Sequence, residues 1–258
     1  VNLLLLSPDE VALDEALVGG RRAEHVLGLL KKQPGEKVRV GVLGHGTCAA
    51  VVGAVDASAG QVRLLLGERT PQPEPRTSLV LALPRPKALS RIVQLAASFG
   101  VRRLDLVGAH KVDPAYFSSP RLDPARLEED ALLGLEQGGL VHLPAFGLYR
   151  SLGAYVREQK DVAQARVVFH PGGAELLGPV VDELGPERPV TLAFGPDGGF
   201  LPAEIELLDG VGFRPTTLSA SILRTEVAVA AGLAQLELVR RLAFQERERR
   251  DVLAACPD

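Results

Sequence analysis

The chain has 258 residues, 46% of them hydrophobic, and a formal charge of −3 at pH 7. That length builds one large domain or two ordinary ones in a soluble globular protein, and no apolar stretch approaches the roughly 18 residues of a membrane span. The negative balance argues against a protein that coats nucleic acid through phosphate contacts, while a local basic patch facing a structured RNA stays compatible with it.

The amino-terminal part carries short runs of strand character: LLLL at 3–6, KVRVGVL at 37–43, CAAVVGAVDA at 48–57 and QVRLLLGE at 61–68. Turn signals separate them (QPGE, GHGT, SAGQ), which predicts a small barrel or folded sheet. One helix is expected within it, RRAEHVLGLLKK at 21–32, with Val26, Leu27, Leu29 and Leu30 as its apolar positions. ERTPQPEPRT then crowds three prolines between Pro71 and Pro75, the signature of an extended connector, so the domain boundary is placed there, between 1–71 and 72–258.

Beyond the connector, strands and helices alternate. SLVLALP (78–84), RRLDLVGA (102–109), RVVFHPGG (166–173), PVTLAFGPDGGF (189–200) and PTTLSAS (215–221) read as strands. Helices are expected at 87–100, 124–139, 174–184, 202–210 and from about Leu223 to the end. Continuous apolar strands joined by helices imply an α/β domain with a mostly parallel sheet covered on both faces.

Ligands of such sheets sit beyond the carboxyl ends of the strands. Three ends suit a close backbone approach: FHPGG (169–173), FGPDGGF (194–200) and LSASILRTE (218–226). No GxGxxG opens a first βαβ unit and no GxxxxGK[ST] occurs, which disfavours a dinucleotide or P-loop enzyme. Taken alone, GPDG is equally an ordinary tight turn with Pro196 at its second position. Thr225 or Ser221 can cap the last helix and Glu226 suits its first turn. Arg224 fits less well, being a cation at the positive end of a helix where a polar or anionic partner is needed. Five scattered histidines and the cysteines Cys48 and Cys256 match no metal spacing, so no metal is expected and the thiols read as structural. The start VNLLLLSPDE lacks a basic leader, so a cytoplasmic location is expected. Met and Trp are absent and Asn2 is the sole asparagine, compatible with a heat-adapted source.

The combination GPDGGF, a GF at Gly212 and Phe213, and LSASILRTEVAVAAGL resembles the SPOUT superfamily of methyltransferases, and within it the bacterial small-subunit rRNA uridine-N3 methyltransferase family. LEQGGLVHLP resembles that family's EQxxRxxxP segment, with Leu140 in place of the arginine, and RRAEHVLGLLK its HHxxVLR segment, with a single His25. Val227 replaces the threonine usual after RTE.

This resemblance implies a PUA-like barrel followed by a trefoil-knotted α/β domain, homodimers formed through the knotted region, and S-adenosylmethionine as methyl donor without a metal. It places the donor against Phe169, His170 and Pro171, against Gly195, Pro196, Gly198 and Gly199, and against Leu218, Ser219, Ile222, Leu223 and Thr225. Arg224 is then expected to stabilise the uracil oxygens and Glu226 to accept the N3 proton. The expected RNA contacts, to 16S rRNA within the 30S subunit, are Arg21, Arg22, His25, Lys31, Lys32, Arg85 and Lys87. Three readings compete: a related methyltransferase acting on tRNA or another rRNA site, a non-catalytic RNA-binding or ribosome assembly factor, and a small-molecule α/β enzyme, which would leave the β-rich first domain and its basic helix without a purpose.

Overall fold

The computed structural model describes residues 3–56, 58–159, 164–173, 175–182 and 188–254. Cys256 lies outside them, as do positions 174, 183 and 184 of the helix expected at 174–184; Cys48 is buried with a free thiol.

The amino-terminal sheet is built from β1 (Leu4–Leu6), β2 (Val11–Ala12), β3 (Glu15–Gly19), β4 (Lys37–Val42), β5 (Gly46–Asp56) and β6 (Gln61–Leu66). Their order is β1-β4-β5-β6-β3-β2, antiparallel except for the β1–β4 pair. The long β5 turns the sheet: its first half pairs with β4, its second with β6, and the register shifts between Val52 and Val55. Such a shift bends a strand and increases its twist. β2 and β3 are additions to the sequence reading, since runs as short as VA and EALVG carry too little periodicity to stand out. The expected helix is α1 (Gly20–Glu24) continued by a π-helical turn over His25–Leu29, so it ends short of Lys31, whose φ of 52° breaks it.

Strand β1 ties this sheet to the rest of the molecule through the two-residue alternation of strands. Leu4 and Leu6 enter the core of the first sheet with Val18, Val40 and Leu64, while Leu3 and Leu5 point the other way into the larger core. Behind them Gly44 N–H donates to the Val141 carbonyl, 2.8 Å.

The second sheet contains β7 (Thr77–Ala82), β8 (Val101–Val107), β9 (Ala145–Tyr149), β10 (Ala165–Phe169), β11 (Val190–Phe194) and β12 (Phe213–Thr216). All its pairings are parallel, in the order β12-β10-β11-β7-β8-β9. β7, β10 and β11 are buried along their whole length, as continuous apolar runs require. The helices are α2 (Pro86–Ser98), α3 (Pro124–Gly138), α4 (Leu152–Arg157), α5 (Leu177–Asp182), α6 (Pro202–Asp209) and α7 (Thr225–Ala254). α3 stops at Gly139 in the left-handed region, φ 71°, a conformation glycine adopts without Cβ strain. Two expectations shift: the strand placed at 215–221 ends at Thr216, leaving 217–224 irregular, and β9 with α4 fill a stretch the sequence reading left unassigned. No helix among the described residues is long and apolar enough to cross a membrane.

Candidate functional site

The strand order brings the carboxyl ends of β10 and β11 side by side, with the irregular segment 217–224 returning beside them. Backbone bonds fix that return: His170 N–H donates to the Thr216 carbonyl at 3.1 Å and Thr217 N–H to the Glu175 carbonyl at 2.8 Å. Gln235, on α7, donates from Nε2 to the Leu218 carbonyl at 2.9 Å. Between the three segments lies a cleft of about 270 Å³.

Its floor is a pair of tilted phenyl rings, Phe169 and Phe194, with centroids 5.1 Å apart. Beneath them α7 passes so closely that a Cβ at Gly232 would lie 2.8 Å from Phe194 Cζ and 2.9 Å from Phe169 Cε2. Leu218 and Leu223 add apolar wall, and Ile222 stands 88% exposed at the rim. The twelve residues expected to hold the donor, from Phe169 to Thr225, all line this one cleft, together with Phe194, Asp197, Phe200, Ser221 and Ala228.

The glycine loop departs from its expected form in one respect. The tight turn closes one residue later than GPDG predicts, with Gly199 N–H donating to the Pro196 carbonyl at 2.7 Å, so Pro196 is the first residue of the turn and not the second. Gly199 sits at φ 69°, where an L side chain is strained. Gly198 meets a neighbour: Lys111 Nζ donates to its carbonyl at 2.6 Å, and a Cβ there would lie 2.8 Å from Lys111 Cδ.

Asp197 anchors the loop from both sides. One carboxylate oxygen accepts from the buried Thr225 hydroxyl at 3.0 Å, the other faces Arg85 Nε at 3.2 Å. Neither Asp197 nor Lys111 emerged from the sequence reading. The aspartate lay inside the quoted motif, and only its spatial neighbours reveal its part; Lys111 is contributed by a loop 87 residues away from Gly198. His170 holds its own loop, Nδ1 accepting from Gly172 N–H at 3.0 Å.

Arg224 is exposed, flanked by lining residues, and its carbonyl accepts the first bond of α7 from Ala228 N–H at 2.8 Å. Its guanidinium makes no ion pair or side-chain hydrogen bond among the described residues, so a cation stands unpartnered at a helix amino terminus. That arrangement costs about 0.3–1 kcal/mol in the isolated protein. Glu226 is half-buried in the first turn.

The seven expected RNA contacts do not form one cluster. Arg85 and Lys87 are exposed beside the cleft, at the start of α2. Arg21 makes a bidentate pair with Glu136 of α3, both bonds 3.0 Å, and Glu136 is 3% exposed. Arg22 is paired with Glu10 and also donates to the Leu5 carbonyl. Lys32 lies 3.6 Å from Glu36, and Lys31 is exposed. His25 Nε2 is buried without a hydrogen-bond partner among the described residues, and burial holds its pKa below the ordinary histidine value.

A larger open groove of about 970 Å³ runs between the connector and α7, past Thr77 at the first residue of β7. It lies at the amino ends of the parallel strands, away from the end where open α/β sheets bind ligands.

The model of the RNA methyltransferase domain matches residues 71–237. The ribosomal RNA small subunit methyltransferase E 1 of Borreliella burgdorferi is 22% identical over 233 residues, 90% of this chain and 95% of the relative. Ribosomal RNA small subunit methyltransferase E of Mycobacterium bovis is 26% identical, over 88% of this chain and 86% of its own length. Among solved structures, that of ribosomal RNA small subunit methyltransferase E from Neisseria gonorrhoeae bound to S-adenosyl methionine superimposes with a TM-score of 0.74 at 18% identity, covering 92% of this chain and 97% of the other.

Proposed function

Because the chain belongs to the RNA methyltransferase family, whose domain covers residues 71–237, we propose that it transfers a methyl group from S-adenosylmethionine to N3 of a uridine in small-subunit rRNA. The observation that carries this reading is the cleft at the ends of β10 and β11, with an aromatic floor and a glycine loop, and with the unpartnered Arg224 between its lining residues Leu223 and Thr225.

The residues fit the donor. A nucleoside needs apolar walls with backbone donors and acceptors at their edges, and Phe169, Leu218 and Leu223 with their peptide groups supply both. S-adenosylmethionine supplies an electrophilic methyl on a sulfonium, so the protein's share is chiefly positioning. Attack by uridine N3 requires loss of its proton, and negative charge grows on the flanking uracil oxygens. Arg224, between the lining residues Leu223 and Thr225 and uncommitted to any carboxylate among the described residues, stabilises that charge, and Glu226 one residue beyond Thr225 accepts the proton.

Around this centre, residues 1–71 act as a PUA-like RNA-binding domain and residues 72–258 as a trefoil-knotted methyltransferase domain. The protein works in the cytoplasm as a homodimer. Val227, Leu238 and Leu242 support the dimer, as exposed apolar positions along α7. Arg224→Ala tests the assignment: donor affinity, read by calorimetric titration, is retained and methyl transfer to rRNA is lost. Equal loss of both would make Arg224 part of the donor site and remove it from the chemistry.

A further inference from the structure

The loops after β7, β8 and β9 continue the carboxyl-end surface away from the cleft in the order of the strands, and they are rich in basic residues. Contact links them step by step. Leu83 N–H, past the end of β7, donates to the Val107 carbonyl at the end of β8, 2.8 Å. The loop after β8 reaches the cleft through Lys111, whose ammonium sits on the Gly198 carbonyl. On its other side Gly108 N–H donates to the Tyr149 carbonyl, 2.9 Å, at the end of β9. Immediately after β9, the exposed Arg150 lays its guanidinium over the Phe117 ring, 4.9 Å from the centroid.

The carboxylates of this surface bond mainly to backbone and leave several of its cations without an ion-pair partner: Asp113 accepts from Ala115 N–H, Asp123 from Ala125 N–H, and Glu204 from both His110 N–H and Leu201 N–H. Asp197 is engaged by Thr225 and Arg85. The exposed Lys87 and Arg121 form no ion pair among the described residues, and Arg150 has only its ring contact. A chain of net charge −3 thus presents cations without an ion-pair partner among the described residues along one edge that begins at the candidate site.

We propose that this edge is a track for single-stranded RNA flanking the target nucleotide, with phosphates on Lys87 and Arg121 and one unstacked base on the Arg150 guanidinium. The inference rests on the reading of the substrate as RNA. Its chemistry follows from two features. Cations without local carboxylate partners bind phosphates by counterion release. A guanidinium seated over a phenyl ring, as Arg150 is over Phe117, leaves its other face for a base to stack on, the mode by which splayed-out RNA is held. A reacting base that leaves its stack also leaves neighbours that need such a surface.

The test uses the full chain with S-adenosylmethionine and measures affinity for naked 16S rRNA and for 30S particles over a range of salt, alongside methyl transfer. Lys87→Ala and Arg121→Ala are expected each to weaken RNA binding and to lower the slope of log affinity against log salt by about one. Arg150→Ala is expected to weaken it about tenfold, within the range measured for base stacking. Arg150→Lys keeps the charge but not the plane, so it should preserve the salt slope while losing most of that affinity. Unchanged donor affinity and melting temperature in each variant show that the fold and the cleft are intact. If the unaltered protein methylates RNA and all four variants match it, the track is refuted and the functional reading stands. If the variants bind naked rRNA normally but 30S particles weakly, the surface meets a ribosomal protein and the proposal is overturned. If the unaltered protein binds no RNA, the functional reading falls and the track with it.

Discussion

Gly232→Ala probes how α7 supports the cleft floor. An ordinary carbon–carbon contact is about 3.5–4.0 Å, and the new Cβ would meet Phe194 at 2.8 Å and Phe169 at 2.9 Å. Each ring must therefore retreat by about 1 Å, or the helix must lift by as much. Apart from the cleft the rings have no room to move into: Phe169 is 8% exposed, Phe194 2%, and both belong to the main core. Overpacking of this kind costs about 1–3 kcal/mol. Alanine in a helix interior returns about 1 kcal/mol over glycine, so the net loss of stability is about 0–2 kcal/mol. In a chain of this size that lowers the melting temperature by a few degrees at most. The larger effect falls on the floor, because rings displaced toward the cleft enter the space the donor needs. S-adenosylmethionine affinity should drop at least about tenfold, equivalent to about 1.4 kcal/mol. Gly28→Ala is the control: it lies in the amino-terminal helix with nothing within 4 Å of its added Cβ, and should be neutral or slightly stabilising. Calorimetric titration and thermal unfolding of both variants read the outcome. Unchanged donor affinity in Gly232→Ala would refute the reasoning that the ring pair is the floor of the donor site.

Further consequences follow from named contacts. Thr225→Val removes the hydroxyl that holds Asp197 and should cost about 1 kcal/mol of stability, with weaker donor binding, whereas Thr225→Ser preserves both in the same titration; equal behaviour of the two would count against the anchor. Arg21→Ala leaves the Glu136 carboxylate buried and unpaired and should cost about 1–3 kcal/mol in urea unfolding, below the cost of breaking a fully buried pair because the Arg21 side chain is 60% exposed. Unchanged stability would free Arg21 for the RNA role the sequence suggested. Burial depresses the His25 pKa, so the unfolded chain takes up a proton that the folded chain resists. The His25 contribution to stability is therefore complete above about pH 6.5 and is lost as the pH falls below it; His25→Gln should flatten the decline in unfolding free energy between about pH 7 and 5.

Much of the site could be read from sequence because its signals are local. A buried strand followed by glycine or small residues marks a place where backbone can approach a ligand, and FHPGG, FGPDGGF and LSASILRTE each carry that mark without reference to the others. What sequence could not supply is the company each residue keeps. Arg21 and Arg22 read as a basic patch, yet each is committed to a carboxylate, and Glu136 stands 115 residues from Arg21. Lys111 carries no local signal of its part, which only the fold reveals by setting its ammonium on the Gly198 carbonyl. β9 escaped notice because an edge strand with Leu148 half exposed lacks the continuous apolar run of its neighbours. The turn shifted by one residue because Gly199, at positive φ, decides where it closes, and proline position alone does not.

The most direct measurement of the central claim is nucleoside analysis of rRNA after reaction. Purified protein is incubated with methyl-labelled S-adenosylmethionine and small ribosomal subunits that lack the modification, and the labelled nucleosides are separated and identified. The account predicts label in 3-methyluridine at a single position of the small-subunit rRNA, abolished by Arg224→Ala. Label in a ribose or in another base, or no transfer to RNA by a protein that binds the donor, would contradict it.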